Sequence, residues 1–244
     1  MALSVFVLTG AGLSADSGLP TYRDGGLWDG HRFEDLATPA AWRRDPQLVW
    51  RFYQERRARL VTAEPNAAHL ALARLGAQLG PSAFTLVTQN VDDLHPRAGS
   101  AALAMHGSLM RLRCERCART VEDRTSLDPE RFVPCAGCGH ARLRPDVVWF
   151  GELPYGMRAI EKALFRCTHF LSLGTSGVVQ PAAGFLAVAR ARGAQTIVQS
   201  LAAPENLAPA DEFHAGRAAE VLPPLLERLG RIFTLGRSAP ESGA

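Results

Sequence analysis

A chain of 244 residues with a formal net charge of +3 has room for one substantial core, or for a larger domain carrying a smaller one, and too little for several. Its 47% hydrophobic and 21% charged residues, with 16 Pro and 22 Gly, are those of an ordinary folded protein and lie outside the disordered class. Lys162 is the only lysine among 27 basic residues, and the arginines are scattered in clusters no longer than Arg56-Arg57-Ala58-Arg59, which argues against direct nucleic-acid binding. No apolar run approaches the roughly 20 residues that span a bilayer.

Leu3 to Leu8 is a short, β-rich apolar run ending in Thr9-Gly10-Ala11-Gly12, and it predicts a buried strand entering a glycine turn. It lacks a charged leader and a small-residue cleavage site, so it reads as a strand and not as a signal peptide. A cytoplasmic, reducing location is the expectation that follows. Residues 27–79 show no strand pattern but two helical ones, starting at Asp45-Pro46 and at Pro65-Asn66. Further strands are predicted at Phe84 to Val87, His169 to Leu173 and Thr196 to Val198, and helices at Pro181 to Arg192 and Glu220 to Leu229. Strands alternating with helices predict an α/β fold with a parallel sheet covered on both faces. Residues 27–79 and the polar, cysteine-bearing stretch 111–143 interrupt that rhythm and are expected to form a small second domain; 237–244 is expected to be a disordered tail.

Four of the five cysteines, Cys114, Cys117, Cys135 and Cys138, form C-x2-C-x17-C-x2-C, the spacing of a four-thiolate zinc site. Four thiolates leave no open position for water, so one structural Zn2+ is expected, with disulfide pairing as the alternative. Cys167, beside an apolar strand, reads as a core thiol. Gly10-Ala11-Gly12-Leu13-Ser14-Ala15 fits G-x-G-x-x-G/A directly after a strand, where backbone N–H groups can cradle a pyrophosphate. A dehydrogenase fingerprint would continue into a second strand ending in an acidic residue. Here a polar, glycine-rich loop follows, Thr21 to Trp28, so the turn either binds a dinucleotide in another way or binds something else.

The segments Gly10 to Arg23, Thr88-Gln89-Asn90-Val91-Asp92, His106-Gly107-Ser108, the four cysteines, Val147 to Glu152 and Gly174-Thr175-Ser176 resemble the sirtuin motifs, in sirtuin order, over nearly the whole chain. The resemblance implies a Rossmann-like NAD-binding domain of residues 1–26, 80–110 and 144–236, with residues 27–79 and 111–143 making a helical and zinc-binding small domain. It implies an enzyme that consumes NAD to remove acyl groups from protein lysine. By motif, Gly10, Ala11, Gly12, Ala15, Asp16, Tyr22 and Arg23 would belong to the NAD loop, and Gln89, Asn90 and Asp92 to the floor of the nicotinamide-ribose pocket. Gly174, Thr175, Ser176 and Ser200 would also contact the cofactor. His106, which taken alone reads as a turn histidine, would be the general base, with Asn90 and Asp92 completing the catalytic set. The acyl oxygen would attack the nicotinamide ribose, releasing nicotinamide, and His106 would then deprotonate a ribose hydroxyl that attacks the imidate carbon, the products being free lysine, nicotinamide and O-acyl-ADP-ribose. Val147, Val148, Trp149, Phe150, Gly151 and Glu152, with Gly177 and Val178, would offer backbone edges to an extended acyl-lysine peptide. Two positions depart from the family: Tyr22 stands where Phe is common, and Ser200 where Asn is.

The helix after Pro46 places Val49, Phe52, Tyr53 and Leu60 on one face with Arg56 among them. A guanidinium on an apolar stripe needs a partner. That partner is either one of the chain's own carboxylates or, with help from the Tyr53 hydroxyl, a carboxylate on the substrate. Tyr-x-x-Arg here resembles the sirtuin branch that removes succinyl and malonyl groups, in which Ala40-Ala41-Trp42 falls in the segment opening the acyl pocket. The expected activity is therefore deacylation favouring succinyl and malonyl with some deacetylation. A plain deacetylase, a mono-ADP-ribosyltransferase and a non-catalytic ADP-ribose-binding module are the alternatives.

Overall fold

The computed structural model describes residues 2–21, 30 and 32–238. Its first strand, β1 (Val5–Thr9), is buried along its whole length. Val5 and Val7 point into one core and Phe6 and Leu8 into another, the alternation expected of a strand covered on both faces. In chain order there follow α1 (Ala11–Ser14), α2 (Phe33–Leu36), α3 (Pro39–Arg44), α4 (Pro46–Thr62), α5 (Ala67–Leu79), β2 (Phe84–Thr88), α6 (Leu94–Arg97) and β3 (Ala102–Ala104). Next are β4 (Gly107–Arg113), β5 (Thr120–Glu122), β6 (Arg144–Val147), α7 (Met157–Leu164), β7 (His169–Leu173), α8 (Phe185–Ala191), β8 (Gln195–Ser200), β9 (Glu212–Ala215) and α9 (Ala218–Ser238).

Six strands make one sheet in the order β3-β2-β1-β7-β8-β9, with every neighbouring pair parallel. The chain steps outward from β1 to β3, returns to the middle at β7, and steps outward the other way. That order is Rossmann-like and creates a switch point at the C-terminal ends of β1 and β7, where open α/β sheets bind ligands. One face is covered by α5 and α9, through Leu72, Leu75, Leu222 and Leu226, and the other by α7 and α8, through Ile160, Leu164, Phe185 and Leu186. A second sheet of three antiparallel strands, β5-β4-β6, stands apart. It shares a core with α2, α3 and α4 that includes Trp42, Trp50, Tyr53, Leu112, Cys114, Cys135 and Trp149.

Both helix starts read from the sequence are present. Asp45 caps α4 by accepting from Leu48 N at 2.9 Å, with Pro46 in the first turn, and Asn66 caps α5 in a reciprocal box with His69. The expected domain boundaries need correction. The α5 helix, assigned with residues 27–79 to the small domain, packs Ala68, Leu72 and Leu75 on the large sheet beside α9. Its apolar stripe defines a buried face but not the partner that buries it. Residues 107–110 and 144–147, expected in the large domain, pair in the small sheet. The boundary expected at residues 26 and 27 lies outside the described residues. Strands β3 and β9 escape sequence reading because each is short and lies at a sheet edge. The last helix extends to Ser238, and 239–244 lie outside the described residues. Among the described residues no helix is long and apolar enough to cross a membrane.

Candidate active site

A cavity of about 840 Å³ lies between the C-terminal ends of β1 and β7 and the small domain. It gathers residues far apart in the chain: Gly10, Ala11, Gly12, Ala15 and Asp16; Tyr53 and Arg56; Gln89, Asn90 and Asp92; His106; Val147 to Glu152; Gly174, Thr175 and Ser176; and Ser200. Gly177 and Val178 instead border a small adjoining pocket with Asn206, so those two do not line the main cavity. Ala37 lines it, whereas Ala41 and Trp42, expected to open it, are buried in the small-domain core. Tyr22 and Arg23 lie outside the described residues.

The glycine turn after β1 meets the loop after β7 almost backbone to backbone. A Cβ on Gly10 would sit 2.8 Å from the Gly174 carbonyl oxygen, and one on Gly12 2.9 Å from it, so only glycine fits at either position. Gly10 N donates to Leu173 O at 3.0 Å, Gly12 N to Gly174 O at 2.9 Å, and Leu13 N to Gly10 O at 3.0 Å. These three amides are spent within the turn and on holding it against the loop after β7, and the turn itself lines the cavity through Gly10, Ala11 and Gly12. Asp16 lines the cavity and is also an anchor. Its carboxylate accepts from Arg217 at 2.6 and 2.8 Å and from Ala219 N at 2.9 Å, fastening the loop to the start of α9. Ser200 Oγ donates to Ala202 O at 2.6 Å, which leaves the hydroxyl oxygen able to accept.

Beneath the turn lies a buried polar chain. Asn66 N donates to His69 Nδ1 at 3.4 Å, so the ring proton sits on Nε2, which faces Ser14 Oγ at 3.4 Å. Ser14 Oγ also accepts from Asn90 Nδ2 at 3.1 Å and donates to Asp92 Oδ2 at 2.8 Å, which completes its hydrogen-bonding capacity. Asn90 Nδ2 reaches Gly10 O as well, at 3.1 Å. Burial raises the pKa of Asp92 against the opposing Ser14 bond. His95 packs against His69 with ring centroids 5.0 Å apart and places Nε2 3.0 Å from Thr9 Oγ1. Burial pushes His69 down to about 4, and burial with the His69 charge pushes His95 down to about 3. Ser14 and His69 were not singled out from sequence. The Asn66/His69 capping pattern marks a helix start, and nothing in it marks a neighbour of Asp92.

His106 precedes Gly107, whose φ of +84° and contact with the Asp146 carbonyl exclude a side chain. His106 Nδ1 lies 2.9 Å from the Gln89 carbonyl oxygen. A carbonyl only accepts, so the proton is on Nδ1 and the lone pair on Nε2. Burial lowers the pKa of His106 against the bond to Gln89, keeping the ring neutral and able to take a proton at neutral pH.

The opposite wall comes from the small domain. Arg56 lies with its guanidinium carbon 3.3 Å from the Phe52 ring centroid and donates to Phe52 O at 3.0 Å. Trp149 Nε1 donates to Tyr53 Oη at 2.9 Å, and burial raises the Tyr53 pKa. The neighbouring Arg57 is fully buried and reaches Asp123 at 2.8 Å. In the segment after β6, the amides of Val148, Phe150 and Glu152 donate to the carbonyls of His106, Ala37 and Trp149. Trp149 N donates to the Glu152 carboxylate at 2.9 Å. With these amides committed, the edge presents mainly carbonyl oxygens.

Cys114, Cys117, Cys135 and Cys138 converge with all sulfurs within 4.8 Å of one another. The Cys114–Cys138 and Cys117–Cys135 separations are both 3.6 Å, near the edge of roughly 3.8 Å that Zn–S bonds of about 2.3 Å give a tetrahedron. Backbone N–H groups, chiefly that of Gly137, pull Cys135 down to about 6, favouring the thiolate. The donor set fits a structural Zn2+, and no disulfide joins any of the five cysteines in this structure.

A Sir2 family model matches residues 10–181. An NAD-dependent protein deacylase of Shewanella oneidensis is 47% identical over 235 residues, covering 93% of this chain and 96% of the relative. A Sir2 homolog solved as an NAD complex superposes with a TM-score of 0.86 at 37% identity, over 94% of this chain and 90% of the other. A Sir2 protein solved with a myristoylated histone peptide superposes with a TM-score of 0.74 at 30% identity, over 95% and 93%.

Proposed function

The chain belongs to the Sir2 family and is an NAD-dependent protein deacylase, and from that premise we propose that it removes succinyl and malonyl groups from protein lysine in preference to acetyl. The observation that carries this reading is the placement of Tyr53 and Arg56 one turn apart on α4, both lining the cavity that holds His106. A guanidinium and a phenol together make a site for a carboxylate, and such charge-assisted bonds are strong in a partly dehydrated pocket.

In this reading NAD, consumed as co-substrate, supplies an electrophilic ribose carbon as nicotinamide leaves. His106 Nε2 takes the proton from a ribose hydroxyl, its lone pair held ready by the Nδ1 bond to Gln89. Asn90 and Asp92, fixed through Ser14, form the floor of the ribose pocket. Gln89, Gly174, Thr175, Ser176 and Ser200 contribute further cofactor contacts, with Ser200 acting as an acceptor. The acyl-lysine peptide lies along Val147 to Glu152 and donates its amides to the carbonyls of that segment, with Gly177 and Val178 at the outer edge. The zinc cluster fixes the small-domain wall and takes no part in the chemistry.

The test is NAD-dependent cleavage of otherwise identical succinyl-lysine and acetyl-lysine peptides, followed by peptide mass and nicotinamide release. The parent enzyme is expected to favour succinyl. Arg56→Met is expected to reduce desuccinylation by about 10- to 100-fold, the scale of a hydrogen bond to a charged group, with a smaller loss on acetyl. Equal losses would make Arg56 a structural residue, and a parent enzyme favouring acetyl would make the protein a plain deacetylase.

A further inference from the structure

Trp149 is 2% exposed, and its single side-chain donor, the indole N–H, is spent on Tyr53 Oη at 2.9 Å. A phenol oxygen that accepts on one side keeps its own proton to give, and conjugation with the ring restricts that proton to directions near the ring plane. With one in-plane direction taken by the indole, the hydroxyl presents a donor rather than an acceptor on its other side. A neutral acetyl methyl gains nothing from such a donor; a carboxylate does.

Trp149 is itself fixed at two points by one ion pair, at its ring and at its backbone amide. The guanidinium carbon of Arg144 lies 3.5 Å from the Trp149 ring centroid, a cation–π contact inside the core. Arg144 is 3% exposed and meets Glu152 in a fork, Nη1 to Oε1 at 2.9 Å and Nη2 to Oε2 at 2.7 Å. The same Glu152 Oε2 accepts the Trp149 backbone amide at 2.9 Å. A displacement of the indole therefore disturbs a part-buried, hydrogen-bonded charge pair whose Arg144 member is fully inside the core, which is costly.

We infer that Trp149 is a specificity-positioning residue: its indole N–H, clamped by Arg144 and Glu152, holds the Tyr53 hydroxyl as a donor aimed at an anionic acyl group. The inference rests on the succinyl and malonyl reading above and assigns to it a residue outside the Tyr53/Arg56 pair. Without that N–H the Tyr53 hydroxyl rotates freely and loses its pre-organisation toward the carboxylate.

The experiment measures kcat and KM on succinyl and acetyl peptides for the parent, Trp149→Phe, Tyr53→Phe and the double variant. Trp149→Phe is expected to lower the succinyl-over-acetyl ratio of kcat/KM by about fivefold to tenfold, the scale of one hydrogen bond, mainly through the succinyl KM. Adding it to Tyr53→Phe is expected to lower the ratio no further, because both act through one hydroxyl. An unchanged ratio in Trp149→Phe, or multiplied losses in the double variant, overturns the inference. Replacing Trp149 by β-(3-benzothienyl)alanine, which keeps the bicyclic shape and lacks the N–H, must reproduce the loss, and it decides the matter if Trp149→Phe does not fold. A parent enzyme with no preference for succinyl overturns the functional reading and this inference with it. A clear parent preference that survives loss of the N–H overturns the inference alone.

Discussion

On the large-domain side of the cleft the wall is made of main chain and short polar groups. Gly10 and Gly12 touch the Gly174 backbone, and Ser14, Asn90 and Asp92 are locked to one another. On the small-domain side the wall is made of large side chains, with Tyr53, Trp149 and Arg56 held by rings and guanidinium groups. In the first wall Gly10, Gly12 and Gly174 accept no side chain without moving backbone. The second can be altered one side chain at a time. On the function proposed above, the first wall carries the reaction and the second the acyl preference.

The largest expected effect comes from removing the support of the second wall. Cys114 and Cys135 belong to the same apolar cluster as Trp42 and Trp149, so the zinc site and the acyl wall share one core. Cys135→Ser is expected to drop zinc below one equivalent by elemental analysis and to abolish activity on succinyl and acetyl peptides alike, because structural zinc binding is folding free energy. Full activity in a zinc-free protein would separate the wall from the metal.

The next effect belongs to the first wall. His106→Gln is expected to reduce kcat by about 10² to 10⁴ on every acyl group, the usual scale of a general base, with no change in the succinyl-over-acetyl ratio. In the parent, kcat/KM should fall on the acid side as His106 becomes protonated. Because burial lowers its pKa, that fall lies below the ordinary histidine value of about 6.5. A changed acyl ratio in His106→Gln would show that the two walls are not independent.

The pieces of each wall differ in how well the sequence announces them. Patterns confined to neighbouring residues were legible: the strand before Gly10, the caps at Asp45 and Asn66, and the paired cysteines. The resemblance to the family brought the NAD loop, His106 and Asn90 together before any contact was known. What could not be read is what depends on long-range approach. The α5 stripe of Leu72 and Leu75 serves as well against either core, and only the fold places it beside α9. Asp16 carries a motif position, but its carboxylate is taken up by Arg217 and Ala219, residues near the other end of the chain. The amides of Gly10, Gly12 and Val148 read as open from the motif and are satisfied by distant carbonyls.

The smallest expected effect is on stability, and it arises under the first wall. His69 and His95 are buried and neutral, held down to about 4 and about 3, against about 6.5 in an unfolded chain. Between those values the unfolded chain binds protons that the folded one refuses. The contribution of these rings is therefore complete above about pH 6.5 and is lost progressively as pH falls from there toward 4 and 3. By pH 5 the loss is about 2 kcal/mol per histidine, and each such loss lowers the Tm of a chain of this size by roughly 4–8 °C. Thermal melts of the parent across pH 5 to 7.5, beside those of His95→Gln, measure it. The variant removes one of the two titrating rings, so its Tm should fall less steeply with acid even where its Tm at pH 7.5 is lower. An identical slope would move the acid sensitivity from the histidine pair to the zinc thiolates, and so from the reactive wall to the acyl wall.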